Sequence, residues 1–324
     1  MVRRPAFFEQ DEEDGGFSSL TKGGGRIMSE GPARSAAHTA RPAHSLVYAF
    51  QYKTTIQIML DFIELFILGI GVGSFGALVG IGGGLIMVPL FMYFMMPPSG
   101  STFANVQEVV GTSLFGVFLN AISGTWAYFR QKRIILGVAM PFALATVPGA
   151  FLGSYVSEWF SGPAFSITFG ASLAFLGCFM YWSSRNKAAN RSADEFDPNE
   201  LPRSKIWLGI GCSFFVGFIS SILGIGGGVV HVPMMVFLLG FPPLVAVATS
   251  TFVLMVSAAI GVVGHALLAH IVWAPAVAVG CGAIVGAQLG ARLARKSKPR
   301  LIVILLSCVM VALGCQLVWR GLSL

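Results

Sequence analysis

Two runs of three consecutive glycines lie inside the long apolar stretches of the chain. They are Gly82, Gly83 and Gly84, and Gly226, Gly227 and Gly228. Each glycine destabilises a helix by about 1 kcal/mol relative to alanine, so we expect a helix break at both runs. A helix that restarts after a break presents unpaired N–H groups and the positive end of its dipole, which can hold an anion. The alternative is tight packing of a bent helix without solute contact.

Polar side chains follow each glycine run at equivalent positions. Thr112 and Ser113 follow the first run, and Thr249 and Ser250 follow the second. Their hydroxyls could donate to an anion, or bond to a carbonyl one turn earlier in their own helix. Asn120 lies on an otherwise apolar segment, where a buried amide needs partners. It is therefore either a tie between helices or a contact to a solute.

His231 is the one ionisable residue close to either glycine run. An ionisable side chain inside a membrane is a functional candidate by default, although a histidine hydrogen-bonded for packing would give the same sequence. We therefore include His231 among the candidate solute contacts. His265 and His270 are expected to be solvated in a short loop.

The distribution of charge predicts a membrane protein built of helices. Of the 324 residues 11% are charged, less than half of the roughly 25% typical of soluble domains. No Asp, Glu, Lys or Arg occurs from Leu65 to Gln107 or from Ile206 to Ala291. A spanning helix needs about 20 apolar residues, so both stretches hold several. We expect an all-α polytopic protein surrounded by lipid in the inner or plasma membrane.

Ten apolar segments can be recognised, five on each side of a polar linker. They cover residues 58–80, 84–96, 107–129, 134–157, 164–182, 206–224, 228–240, 245–264, 271–291 and 301–319. The second segment of each set is too short to span a membrane in a straight path, and glycine and proline flank it. We expect this segment to be tilted or re-entrant.

The two sets of segments are copies of one another. The decapeptide from Gly80 to Pro89 occurs again, with small changes, from Gly224 to Pro233, 144 residues later. The first copy then has seven extra residues, after which a spacing of 137 relates Thr112 to Thr249. A spacing that stays constant over three segments indicates a duplication.

The basic residues predict that the two copies are inverted. Residues 130–133, after the third segment, carry three basic side chains, whereas the equivalent residues 265–270 carry no Lys or Arg. After the fourth segment the pattern reverses, because residues 158–163 lack a basic side chain and residues 292–300 contain five. Cytoplasmic loops are rich in Lys and Arg, so equivalent loops face opposite sides of the membrane.

These patterns divide the chain into four regions. They are an N-terminal extension, 1–57, a first transmembrane repeat, 58–182, a cytoplasmic linker, 183–205, and a second transmembrane repeat, 206–320. The extension is polar and lacks the apolar core of a signal peptide, so we expect it to be disordered. A natural start at Met59 is the alternative.

We expect no cofactor, metal ion or nucleic acid as a partner. The five cysteines lie in apolar segments without a Cys-x-x-Cys pair, as small packing residues do. The net charge is +7, but most Lys and Arg residues lie in the loops between segments. Residues 71–76 match G-x-G-x-x-G without a βαβ unit or an acidic partner, which favours close helix packing over nucleotide binding.

The repeated motif Gly-Ile-Gly-Gly-Gly-x-x-x-Val-Pro resembles the sulfite exporter TauE/SafE family, over about residues 59–319. The resemblance implies a secondary transporter that moves a small sulfur-containing or organic anion, such as sulfite or a sulfonate, by alternating access. The chain departs from its own repeat at His231, where the first copy has Met87. The solute, the direction, the coupling ion and the formation of a homo-oligomer stay open.

Two other classes of function are alternatives. An intramembrane enzyme would pair Ser220 or Ser221 with His231, but a helix break separates them and no G-x-S-x-G element is present. A membrane sensor or scaffold that does not transport would need no polar cavity beside the glycine runs. We expect that the protein is not an enzyme.

Site-directed labelling tests the inverted arrangement. Single cysteines replacing Gln131 and Lys298 should react with an impermeant reagent from the cytoplasmic side, because both positions lie in basic loops. A cysteine replacing Ala266 should react from the outside. Labelling of the Gln131 and Ala266 positions from the same side would contradict the inversion.

Overall fold

The computed structural model describes residues 41–97, 100–159, 162–183 and 202–323, and in these ranges it consists of helices and turns without a β-strand. The prediction of an all-α protein is confirmed. The chain divides into a unit of residues 1–52 and a unit of residues 53–324, and the elements that matter for function lie in the second.

Ten α-helices are present in the described ranges. In the first half they are α1 (Arg41–Val79), α2 (Gly84–Phe94), α3 (Val106–Arg130), α4 (Leu136–Val156) and α5 (Gly162–Ser183). In the second half they are α6 (Arg203–Leu223), α7 (Gly228–Pro233), α8 (Pro243–Leu267), α9 (Trp273–Lys296) and α10 (Pro299–Ser323). Apart from the start of α1 and the end of α7, these bounds lie within about five residues of the ten apolar segments.

Six of the described helices are long and apolar enough to cross a membrane, in agreement with a multi-pass protein. They are α1 from Met59 onward, α3, α4, α6, α8 and α9. Helix α2 and the helical segment Gly228–Leu238 are shorter, as the sequence predicts. Pro89 lies inside α2, and after Pro233 the chain continues as a π-helix, Met234–Leu238, because proline removes a helical hydrogen bond.

Helix α1 begins earlier than the sequence analysis predicts. We expect disorder up to residue 57, whereas the helix extends back to Arg41. Pro42 occupies its first turn, where the missing N–H has no intrahelical partner in any case, and no glycine follows before Gly69. This glycine-free run permits a helix. Residues 1–40, and residues 184–201 of the predicted linker, lie outside the described residues.

The first helix of each half packs on the fourth helix of the other half, and glycines allow the close approach. Gly286 and Gly290 of α9 lie against α1, and Gly149 and Gly153 of α4 lie against α6. A β-carbon at any of these four positions would collide with a carbonyl oxygen of the facing helix. The four glycines are equivalent positions of the repeat, so both halves make the same contact.

The third helices form the interior of the molecule. Helix α3 packs on α8, each of them packs on the fourth helix of the opposite half, and α5 packs on α10. In the most apolar stretch of each helix, 72% of the residues of α3 and 67% of those of α8 are buried, against 39% for α1 and for α6. These contacts are equivalent in the two halves. The side of a membrane that each loop faces does not follow from packing, so the inversion stays a prediction.

Alanine substitutions test the contact between α1 and α9. The change Gly290→Ala should destabilise the protein by about 1 to 3 kcal/mol, because the new β-carbon must displace the carbonyl of Ser74. The control Gly71→Ala adds a carbon with nothing within 4 Å and should leave stability unchanged or slightly higher. Midpoints of thermal unfolding in detergent measure the difference. Equal midpoints for the two variants would contradict the described contact.

Candidate functional site

The glycine runs break their helices in the same way. The φ angles are +83°, +72° and +88° at Gly80, Gly82 and Gly83, and +69°, +78° and +76° at Gly224, Gly226 and Gly227. Such left-handed values are open to glycine and strained for other residues. Helix α1 stops at Val79 before the first run and α6 stops at Leu223 before the second. The breaks therefore lie where the sequence predicts them.

The two breaks contact each other. A β-carbon added to Gly84, the first residue of α2, would lie 2.6 Å from the carbonyl oxygen of Gly224. Gly228, the first residue of α7, faces the carbonyl oxygen of Gly80 in the reciprocal manner. The N-termini of the two helices that restart after the breaks thus meet inside the protein, each beside the backbone of the other half.

Two apolar side chains cover the meeting point. Val117 of α3 and Leu254 of α8 both lie against Gly82, and both also lie against Gly226. The two side chains are fully buried. In this conformation the glycine turns are filled by these contacts, which agrees with the packing alternative. A groove of about 650 Å³ lies elsewhere, between α1, α2 and the start of α9.

The two serines bind the carbonyls that the breaks set free. The Ser113 hydroxyl is 3.0 Å from the carbonyl oxygen of Gly224, and the Ser250 hydroxyl is 3.1 Å from that of Gly80. Each hydroxyl also lies within hydrogen-bond distance of a carbonyl in its own helix, at 3.0 Å and 3.3 Å. The single hydroxyl proton of each serine is therefore shared between the local carbonyl that was one alternative and the carbonyl at the break of the opposite half.

The two threonines hold the fourth helices. The Thr112 hydroxyl accepts a hydrogen bond of 3.0 Å from the Val272 N–H, immediately before α9. The Thr249 hydroxyl accepts one of 3.3 Å from the Ile135 N–H, immediately before α4. An N–H at the start of a helix has no partner within that helix, and each threonine supplies one across the boundary between the halves.

Asn120 ties three helices together. Its side-chain amide donates to the carbonyl oxygens of Gly73 in α1 and Ala283 in α9, at 2.9 Å and 3.2 Å. The residue is fully buried, and its Oδ1 has no hydrogen-bond partner in the described part of the chain. The hydrogen bonds of Asn120 between helices are thus present, and its Oδ1 stays available to accept a further hydrogen bond.

His231 is buried against α6. Its Nε2 lies 3.1 Å from the Ser213 hydroxyl, which itself donates to the carbonyl oxygen of Gly209 at 2.7 Å. The serine proton is thereby engaged, so the imidazole acts as the donor to Ser213. This direction is the reverse of what a histidine base does to a serine nucleophile. Nδ1 of His231 has no partner among the described residues.

The sequence analysis missed a pair of residues beside the breaks. The Tyr128 hydroxyl donates to the carbonyl oxygen of Ala77 at 2.6 Å, in the last turn of α1. His265 Nε2 lies 3.0 Å from the carbonyl oxygen of Ser221, in the last turn of α6. The repeat spacing of 137 relates Tyr128 to His265 and could have found them, but the two residue types differ.

His265 also differs from its predicted environment. We expect it to be solvated in a loop, whereas it belongs to α8 and is fully buried. The helix runs one turn further than the apolar segment indicates, and the ring turns inward toward α6. His270, which lies after the helix, is partly exposed.

The model of the sulfite exporter TauE/SafE family matches residues 65–317, a range that includes both breaks and all the polar residues described above. The chain belongs to this family. The resemblance noted in the sequence is confirmed.

Relatives with curated names agree with a membrane transporter. "Probable membrane transporter protein YunE" of Bacillus subtilis is 32% identical over 81% of this chain and 99% of the relative. "Probable membrane transporter protein MJ0441" of Methanocaldococcus jannaschii is 27% identical over 81% of this chain and 97% of the relative. No solved structure matches the chain. This TauE/SafE protein is a membrane transporter.

Removal of one hydroxyl tests the bond beside the first break. Tyr128→Phe keeps the ring but leaves the Ala77 carbonyl without its donor, so the transporter should lose about 0.6 to 1.7 kcal/mol of stability. The control Tyr155→Phe removes a hydroxyl from a side chain that is 42% exposed and should have little effect. Unfolding midpoints in detergent provide the comparison. A Tyr128→Phe protein as stable as the control would show that the bond contributes nothing.

Proposed function

We propose that this transporter moves a small sulfur-containing or organic anion, such as sulfite or a sulfonate, and binds it where the two glycine breaks meet. The observation that carries the proposal is the convergence of the N-termini of α2 and α7. Both are the positive ends of helical segments, since α7 continues as far as Leu238. Family membership supports a sulfur-containing anion as the solute.

Backbone groups supply the positive potential in this proposal. No Lys or Arg lies between Leu65 and Gln107 or between Ile206 and Ala291. Each helix end contributes about half of an elementary charge, so two converging ends balance about one negative charge. The proposed contacts are the N–H groups of Gly82, Gly83 and Gly84, and of Gly226, Gly227 and Gly228. In this closed conformation the N–H groups of Gly82 and Gly228 donate to the carbonyl oxygens of Gly76 and Gly226, so they become available only when the breaks open.

The neighbouring polar residues have different parts in the proposed site. Ser113 and Ser250 bind the freed carbonyl oxygens, so the negative ends of those peptide groups are engaged and kept from the anion. Thr112 and Thr249 hold the helices that flank the site. Asn120 has already committed its amide N–H groups to two carbonyls, so it fixes the position of α3 and does not donate to the solute.

His231 is the remaining solute contact in the proposal. The ring is buried in α7, one turn after the second glycine run. Its free Nδ1 accepts a hydrogen bond when the solute carries a proton, as a protonated oxyanion does. At the equivalent position of the first half, Met87 offers no such acceptor.

Alternating access follows from the way the site is closed. The breaks are in direct contact, and Val117 and Leu254 lie over both glycine turns. A solute therefore enters only when the halves separate and these side chains withdraw. Because the two halves present equivalent surfaces, their separation toward either face of the membrane exposes the same backbone groups at the glycine breaks. We place this transport in the plasma membrane.

Solute flux in proteoliposomes tests the proposed function. Vesicles containing the purified transporter are mixed with external sulfite, thiosulfate, an organosulfonate or sulfate in parallel, and the cation choline is the comparison solute. Uptake of at least one sulfur-containing anion above protein-free vesicles is the expected result. Transport of choline with none of the anions would overturn the proposed substrate class.

A leucine at one glycine turn tests the proposed site. Gly227→Leu should abolish flux, because Gly227 has a left-handed φ of +76° and a side chain there would press on Val216 and Ser220 of α6, which displaces the second break. Gly240→Leu is the matched control, since Gly240 has the same left-handed backbone, with φ of +79°, but lies in the turn before α8. Flux is compared at equal amounts of monodisperse protein. Wild-type flux in Gly227→Leu would remove the second break from the site.

A further inference from the structure

We propose that His265 and His270 form a proton-binding site, and that its protonation tightens the hold of α8 on the second break, so that transport responds to pH. The inference rests on the proposed transport function for its effect on flux, but the binding of a proton does not. It starts from a difference between the halves: at equivalent positions beside the two breaks, one half has Tyr128 and the other has His265.

The two histidines form a continuous chain from the surface to α6. His265 Nε2 lies 3.0 Å from the Ser221 carbonyl oxygen, and its Nδ1 lies 3.3 Å from Nδ1 of His270. His265 is fully buried, whereas His270 is partly exposed after the end of α8. The backbone N–H of His270 also donates to the carbonyl oxygen of His265 at 2.8 Å, which fixes the two rings relative to each other.

The partners determine where the protons lie. A carbonyl oxygen only accepts, so Nε2 of His265 carries a proton and, in the neutral ring, Nδ1 carries a lone pair. Nδ1 of His270 then donates to that lone pair. This arrangement satisfies both nitrogens of the buried ring while both histidines are neutral.

A proton can enter this pair by two coupled proton transfers. It binds at Nε2 of His270, and the proton on Nδ1 of His270 passes to Nδ1 of His265. His270 ends neutral with its proton on Nε2, and His265 ends as an imidazolium that still donates to Ser221. The net result is one positive charge moved from the surface to His265 of α8, beside the last turn of α6.

Charged neighbours act on the exposed ring. Burial lowers the pKa of His270, and the carboxylates of Glu158 and Glu108 act in the opposite direction. Glu108 belongs to α3 and Glu158 to the short 3-10 turn after α4, while α6 contributes the Ser221 carbonyl. The two carboxylates therefore attract a proton to the outer end of the chain, and burial keeps the pair neutral until the pH falls.

Protonation would affect only one of the two breaks. The Ser221 carbonyl lies in the last turn of α6, at the negative end of the helix dipole, where a cation is stabilised. A hydrogen bond from an imidazolium is also stronger than one from a neutral ring. In the first half the donor is the phenol of Tyr128, which stays neutral at physiological pH. A fall in pH thus holds the second break more firmly to α8 and leaves the first unchanged.

Two variants remove the titration but keep the hydrogen bonds. In His265→Gln the amide nitrogen replaces Nε2 as donor to Ser221, and in His270→Asn the amide nitrogen replaces Nδ1. Flux of an organosulfonate, whose own charge does not change near neutral pH, should change in the wild type as the pH falls below about 6.5, because burial lowers the pKa of His270, and it should change less than about twofold in both variants. His231→Met is the comparison, because its ring lies outside the pair and its pH response should persist whatever its flux.

Two results would overturn the role in transport. One is a dependence of flux on pH that both His265→Gln and His270→Asn keep unchanged. The other is a dependence that His231→Met loses while the two pair variants keep it.

Nitrogen NMR of histidine-labelled protein tests proton binding without any solute. Among the imidazole nitrogen signals that titrate in the wild type, two should belong to His265. Both should be absent from His265→Gln, and both should shift in His270→Asn. If His265 stays neutral throughout the pH range, the proton site is refuted, even where sulfite is transported. If the pair titrates while none of the anions moves, the proposed function fails and the proton site stands.

Discussion

A carbonyl oxygen released at a helix break inside a bilayer has no water to bind, so the protein must supply a donor. This constraint explains four polar side chains of the interior. Each break releases carbonyls that receive one hydroxyl from the opposite half and one donor from its own half. The donors are Ser250 and Tyr128 for the first break, and Ser113 and His265 for the second. All four lie on α3 and α8, which makes these two helices the support for both breaks.

The same exchange between halves sets the larger packing. Thr112 and Thr249 each hold the start of the fourth helix that belongs to the other copy, and the first helices pack on those same helices through glycine. The bundle therefore consists of two interlocked copies rather than two bodies side by side. The polar side chains beside the proposed site are, in this state, the groups that hold the copies together.

The elements were predictable from the sequence because their signals are local. Apolar length and charge located the helices, and the glycine runs located the breaks. The partners of polar residues were not predictable, since Val272 and Ile135 lie far along the chain from the threonines that bind them. His265 was placed in a loop because α8 continues past its apolar segment. A tyrosine and a histidine at equivalent positions are invisible to a search for identical residues, although they make the same bond.

The interlocked arrangement has a consequence for how the protein is made. Ribosomes release the first half into the membrane before the second half exists, so the carbonyl of Gly80 waits for a hydroxyl that is synthesised 170 residues later. Until then the nascent first half holds an unmet polar group in lipid and is suited to retention by the insertion machinery. A membrane in which the first copy is made alone would contain an incomplete protein rather than half a transporter.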